Sequence, residues 1–471
     1  MLFLSGKQVS YFYTPHCMGI QQIFFLITLI IVGSAAVRSY GRVFRSIRLG
    51  RDEVIEGNEG ARWKNVLLVA LGQKKMFKRI VPAFLHLFIY LAFLITQIEL
   101  IEIVVDGVFG THRIFAPYLG TFYTLIISVI EMLSVLALVA TLSFLWRRNV
   151  KPVGRFVKPE MTGWPSIDAN IILLAEIVLI GAIFSMNSAD AVLQVLDSNY
   201  YPSTGKFAIS GLFGPALMEN WDKNVLILIE RAGWWVHILL VFGFILYLPI
   251  SKHLHILFAF PNTYFARLEP AGQMTNMPEV MQEVKSMLGL GEGQTEANYD
   301  ELPEFGAKDV FDLSWKNILD AYTCTECGRC TAECPANLTG KKLSPRKIMM
   351  DVRDRAEEVG RNLDSGSAKF IHVDHQTNGR LSPKNYDDGK SLFDRISAEE
   401  LHACTTCNAC VEACPVLINP LDIILQMRRY EILTKSAGPQ DWVPMFTSLE
   451  NSGSVWQIST ERDAWTQDVN T

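Results

Sequence analysis

Two copies of one cysteine run constrain this chain more than anything else in it: Cys324, Cys327, Cys330 and Cys334 before Pro335, then Cys404, Cys407, Cys410 and Cys414 before Pro415. Both follow the C-x2-C-x2-C-x3-C-P spacing that wraps a cubane iron–sulfur cluster, and where two such runs share a domain the fourth cysteine of each serves the other cluster. The spacing therefore places one [4Fe–4S] cluster on Cys324, Cys327, Cys330 and Cys414, and a second on Cys404, Cys407, Cys410 and Cys334. Electron transfer is the chemistry such a pair serves.

Three thiolates within seven residues can surround one cube only if the backbone turns tightly, which small neighbours such as Gly328 and Ala409 permit. The proline after the fourth cysteine redirects the chain. Structural zinc is disfavoured, because zinc sites show two C-x2-C pairs split by a longer loop. Disulfides are disfavoured because two identical tight runs suit a reducing compartment. The ninth cysteine, Cys17, stands in an apolar segment and reads as a small buried hydrophobe.

With 49% hydrophobic and only 19% charged residues among 471, the chain is too apolar for an ordinary soluble protein. The apolarity is concentrated before about residue 260, and the cysteine-bearing remainder is polar. The net charge of −5 averages two unlike halves, and no basic patch with interleaved aromatics points to nucleic acid. Gly289, Gly291 and Gly293 lack the spacing of a dinucleotide fingerprint.

Five stretches can cross a bilayer, near 18–37, 81–105, 117–146, 169–189 and 233–259. Pro249 is expected to kink the last rather than end it. The first could be a signal peptide cleaved near Ala35 and Ala36, but the dense flank of Arg38, Arg42, Arg45, Arg48 and Arg51 favours an anchor. Lysine and arginine accumulate in the 38–80 loop and again at 147–158, and are sparse in the alternate loops. The positive-inside rule then gives an N-out, C-in chain in the cytoplasmic (inner) membrane, with its cysteine runs in the reducing cytoplasm.

Ionisable residues inside a span mark function by default. His86 lies near the inner start of the second span, His237 near the outer start of the fifth, and His253 and His255 near its inner end. His86 and His255 fall at matching depth, as two imidazoles holding one b-type haem would. Glu99, Glu102, Glu131 and Glu176 are candidate proton-handling groups, against the plainer reading that they pair across the bundle.

The segments Trp234-Trp235-Val236-His237 and Pro249 to Ile256 resemble the fifth helix of the nitrate reductase gamma-subunit family of five-helix cytochromes b. The resemblance implies that His86 pairs with His255. A second haem on His237 would need a histidine where this chain has Thr96 and Gln97; His16 or His112 are the positional substitutes. One haem b is the main expectation and two the alternative.

Residues 263–305 read as a connector, with a short helix near 279–288. The Phe305–Arg346 region and the second run, from His402 to Val416, are similar to iron–sulfur proteins of the heterodisulfide reductase-related group, whose dicluster module is mainly helical; a helical pattern at Lys347–Glu358 agrees. The expected fold is all-α: a five-helix membrane domain over 1–262, the linker, a two-cluster ferredoxin domain over 306–435, and a tail over 436–471 with Trp442, Trp456 and Trp465 that is disordered or docks a partner.

Catalytic subunits of that group carry adjacent Cys-Cys pairs, and none occurs here. The resemblance thus implies a membrane electron-transfer subunit working between quinone or quinol and a cytoplasmic catalytic partner bearing such repeats, within membrane lipid and without nucleic acid. The alternative is a membrane-anchored iron–sulfur sensor or assembly protein without quinone chemistry.

Overall fold

The computed structural model describes residues 19–198, 200–270, 272–290, 304–371, 381–456, 463 and 465–468. His16 and Cys17 lie outside them. The described residues are helical, and the β-structure among them is two isolated bridges, Arg51 with Ser314 and Ile371 with Tyr386. Two compact units emerge: 1–43 with 73–254, and 44–72 with 255–471.

The first unit is built on five helices long and apolar enough to cross a membrane: Ile20–Ile47, Ile80–Phe109, Thr121–Val150, Trp164–Leu196 and Lys223–Ile250. The last four residues of the first span, from Phe44, belong to the second unit. The span cores form from side chains of several helices at once, as in the cluster of Phe25, Ile103, Ile183, Met186, Trp234, Ile238 and Phe242. Two glycines let helices approach: a Cβ on Gly233 would lie 2.7 Å from the Ala182 carbonyl oxygen, and one on Gly107 would lie 2.7 Å from the Phe25 ring.

The spans are longer than hydropathy alone indicates. The fifth begins at Lys223 rather than near 233 because its charged first turns are absorbed: Glu230 is buried and paired with Arg231. His237 therefore sits fourteen residues inside that helix, near mid-span and not at its outer start. The expected kink at Pro249 is a break. The α-helix stops at Tyr247, passes through 3-10 turns at Leu248–Ile250 and Lys252–Leu254, and a separate helix, His255–Tyr264, begins in the second unit. Asp168 holds the break open, accepting from the Tyr247 hydroxyl (2.7 Å), the Ser251 hydroxyl (2.8 Å) and the Lys252 amide (3.1 Å).

In the second unit the chain between the first two spans clasps the cysteine-bearing helices. The Arg51 amide donates to the Leu313 carbonyl (2.7 Å), the Trp315 amide to the Arg51 carbonyl (3.0 Å), and the Trp315 indole to the Glu53 carbonyl (3.0 Å). Gly50 permits this, since a Cβ there would meet the Ser314 backbone at 2.7 Å. Arg45 pairs with Asp364 and donates to the Gly360 carbonyl. The expected helix at 347–358 runs further, Pro345–Ser365, opened by the Ser344 cap and closed by Gly366 in the left-handed region. At its centre Arg355 is buried and clamped between Asp309 (2.6 Å) and Asp388 (2.7 Å). The connector helix is Pro278–Met287, and the tail contributes Trp442–Ser452, whose Trp442 ring packs edge-on against His402 at 5.0 Å.

Candidate iron–sulfur sites

The two cysteine runs fold alike. Each ends one helix with its first cysteine, Trp315–Thr323 before Cys324 and Ala398–His402 just before Cys404. Each then places two residues in the left-handed region, Glu326 and Gly328 (φ 53° and 68°) in the first run, Thr406 and Asn408 (φ 55° and 60°) in the second. These reversals turn the backbone around the sulfurs. Ala409 has no such part: it starts the helix Ala409–Ala413, and Asn408 makes the turn that glycine makes in the first run. Pro335 likewise opens a helical turn, Pro335–Leu338, rather than ending one.

The sulfurs gather across the runs. Cys324, Cys327, Cys330 and Cys414 line one cavity, and Cys334, Cys404, Cys407 and Cys410 line another. Among the described residues no three His, Cys, Asp or Glu side chains converge as a single metal ion requires, whereas four thiols around an open space suit a cube. Backbone amides point at the sulfurs: Thr406 to Cys404 (3.4 Å) and Ile418 to Cys414 (3.3 Å). Burial pushes the Cys324, Cys410 and Cys414 thiols up to about 12, and Cys330 well above its ordinary value. Thiols so buried lose their protons when a metal cation replaces them, so the donor set fits an iron–sulfur group.

The two cavities differ in their walls. Arg329 and Arg346, both buried, line the first. The second is walled by Pro335, Ala336, Leu343, Pro345, Leu421 and Ile424, with no charged side chain lining it among the described residues. Each cavity has two buried cysteines, Cys324 and Cys414 in the first and Cys334 and Cys410 in the second, and Cys407 of the second is exposed. The arginines and the exposed thiol are features that the cysteine spacing alone does not reveal.

In the membrane unit, His86 Nδ1 lies 3.1 Å from Gln73 Oε1 and His237 Nδ1 lies 3.5 Å from the Leu179 carbonyl oxygen. The Leu179 carbonyl only accepts, so His237 Nδ1 donates to it, leaving Nε2 with the lone pair. For His237 that is the tautomer a metal-ligating imidazole takes. The Gln73 amide contacts one nitrogen of His86 and so fixes the orientation of that ring. His255 is in the other unit, at the start of the His255–Tyr264 helix. Thr96 and Gln97 bond back to the Phe93 carbonyl of their own helix. His112 is committed elsewhere, with Nε2 3.0 Å from Asp190 and Nδ1 3.5 Å from Arg231.

Around His112 lies a buried polar cluster that spacing could not reveal. Arg113 donates to Asp190 (2.8 Å), Asn187 (2.7 Å) and the Tyr123 hydroxyl (3.0 Å), which in turn donates to Glu102 (2.6 Å). Glu131 accepts from Asn187 and from the Ile209 and Ser210 amides. Glu99 is buried, its Oε1 without a hydrogen-bond partner among the described residues, and Glu176 lies against Thr141. Glu102 and Glu131 thus pair across the bundle, as the plainer reading has it.

Residues 323–418 match a family model described as a 4Fe-4S dicluster domain. The chain is 28% identical over 434 residues to a probable iron-sulfur-binding oxidoreductase, FadF, of Bacillus subtilis, covering 89% of this chain and 57% of that protein. It is 25% identical over 398 residues to the EtfAB:quinone oxidoreductase of Syntrophomonas wolfei, covering 83% and 51%. A probable membrane-anchored ferredoxin of Chromohalobacter salexigens is 33% identical over 141 residues, or 28% of this chain and 20% of that one. The chain spans about half the length of the first two relatives. No solved structure matches it. With five candidate membrane helices ahead of the matched domain, the chain is a multi-pass membrane protein carrying a [4Fe–4S] dicluster domain for electron transfer.

Proposed function

We propose that this chain is the membrane subunit of a quinone-linked oxidoreductase, passing electrons between the quinone pool and a cytoplasmic catalytic partner through haem b and two [4Fe–4S] clusters. The observation that carries the reading is the pairing, in one chain, of two four-thiol cavities with five membrane-length helices. A relative named as a quinone oxidoreductase supports the quinone end. When bound, the clusters and haem supply one-electron carriers; the protein supplies position and surroundings.

Cys324, Cys327, Cys330 and Cys414 hold one cluster, and Cys334, Cys404, Cys407 and Cys410 the other. His86 and His255 hold haem b, with His237 the candidate for a second. The chain lies N-out and C-in, so that the thiols face the reducing cytoplasm. The catalytic partner, a protein with the Cys-Cys repeats that the heterodisulfide reductase resemblance implies, meets the chain where Cys407 reaches the surface.

The test is optical and kinetic. Purified, anaerobically prepared chain should show a low-spin haem b band on reduction, and a quinol analogue in proteoliposomes should reduce the clusters. Clusters without haem, and unmoved by quinol, would replace this reading with that of a membrane-anchored sensor or assembly protein.

A further inference from the structure

The loop between the first two spans contains a helix whose polarity is reversed. Glu59–Asn65 is α-helical, capped by Asn58, and continues without interruption as a π-helix, Val66–Leu71. On a soluble helix the apolar stripe faces inward and the charges face water. Here Arg62 is the inward residue, 4% exposed, donating to the Tyr264 (3.1 Å), Ala266 (3.2 Å) and Glu56 (2.5 Å) carbonyls, with Val66 buried one turn on. The outward residues are Trp63 and Leu67, each 57% exposed, Leu68 at 41% and Leu71 at 40%. A spacing of four drifts around an α-helix, and the wider π turn cancels that drift. Trp63, Leu67 and Leu71 therefore share one outward stripe.

Continuity of the chain says what covers this stripe. The segment is tied on one side to Ile47, the last residue of a membrane-length helix, and on the other to Ile80, the first residue of the next. Exposed Lys64 on the helix and Lys74 just beyond it supply cations beside the apolar stripe. Tryptophan and leucine on one side with lysine at the margin is the composition of a helix lying in the headgroup region of a bilayer. The same helix is fastened to the cluster-bearing unit: the Trp63 ring packs edge-on against Tyr264 at 5.2 Å, in the helix that begins at His255.

We propose that the 59–71 helix is an interfacial anchor, its Trp63, Leu67, Leu68 and Leu71 face inserted into the lipid headgroup and upper acyl region, and that it seats the cluster-bearing unit on the membrane surface. Its role is independent of whether quinol is the electron donor. The occupant of the stripe is lipid, not a second polypeptide.

Photocrosslinking in the full chain distinguishes these. A benzoylphenylalanine encoded at position 67 or 71, in nanodiscs of phosphatidylcholine and phosphatidylglycerol, should yield lipid adducts on irradiation. The same residue at Leu338, an exposed leucine of the cluster-bearing unit, should yield none. Polypeptide adducts at 67 and 71, or the absence of lipid adducts at both, would overturn the proposal. As a second readout, the pair Leu67→Ser with Leu71→Ser should keep full iron content while tryptic cleavage after Lys64 in nanodiscs rises at least severalfold. Unchanged cleavage would count equally against the anchor.

Discussion

Glu326 and Thr406 hold the same left-handed backbone conformation, φ 53° and 55°, each two residues after the first cysteine of its run. Two residues later Gly328 and Asn408 repeat the match. The two sites are copies in backbone geometry, although their side chains differ.

That geometry makes Asn408 a sensitive position. A β-branched residue in the left-handed region costs roughly 1–2 kcal/mol, so Asn408→Val should lower occupancy of the Cys404 site while Asn408→Gly leaves it intact. Iron and sulfide content, with EPR of the reduced protein, reads the difference.

Crossed ligation is tested at Cys334, which lines the cavity of Cys404, Cys407 and Cys410 rather than that of its own run. Cys334→Ser should damage the cluster that Cys404→Ser damages, and spare the one that Cys324→Ser removes. Loss of the same EPR signal on replacing Cys334 and Cys324 would refute the crossing.

The buried arginines at the first cavity should raise its potential, since a fixed cation favours the more negative reduced state. Arg346→Gln should lower the potential of the Cys324 site by roughly 50–100 mV, on the scale of a partly screened charge a few ångströms away. The other cluster should move far less in a redox titration.

At His86 the prediction concerns both the imidazole and its support. His86→Ala should abolish the reduced-minus-oxidised haem absorbance. Gln73→Leu removes the amide that orients the ring and should weaken haem retention by roughly 10–100-fold, the usual cost of losing such a partner. His237→Ala tests the haem count: loss of a distinct second component would establish an outer haem.

Arg355→Met leaves buried Asp309 and half-buried Asp388 without their shared guanidinium. The expected loss is about 3–5 kcal/mol, read as a lower denaturation midpoint of the cluster-bearing unit.

What the sequence made legible followed from local spacing. The cysteine runs and the existence of five spans are written in neighbouring residues, and helix number and order emerge as expected. Span ends were less legible, because hydropathy penalises Lys223, Glu230 and Arg231 whether or not a partner absorbs their charge. Pro249 signals the bend after Tyr247 locally, but its opening into a full break depends on Asp168, on another helix. The clasp of 44–72 rests on Arg51 meeting Leu313 and Trp315, contacts between residues far apart in the chain. Asn408 was within reach: laying the two runs side by side sets it against Gly328, and asparagine is among the few residues that readily accept that conformation.

Because each cavity takes three sulfurs from one run and one from the other, neither can be completed while its partner run is unplaced. The long segment between Cys334 and Cys404 is then cinched at both ends by both sites, and the entropy of closing it is met once for the pair. Maturation of the intact chain should accordingly be cooperative: filling one site places the remote thiol that the other needs, so iron delivery to one speeds the filling of the other.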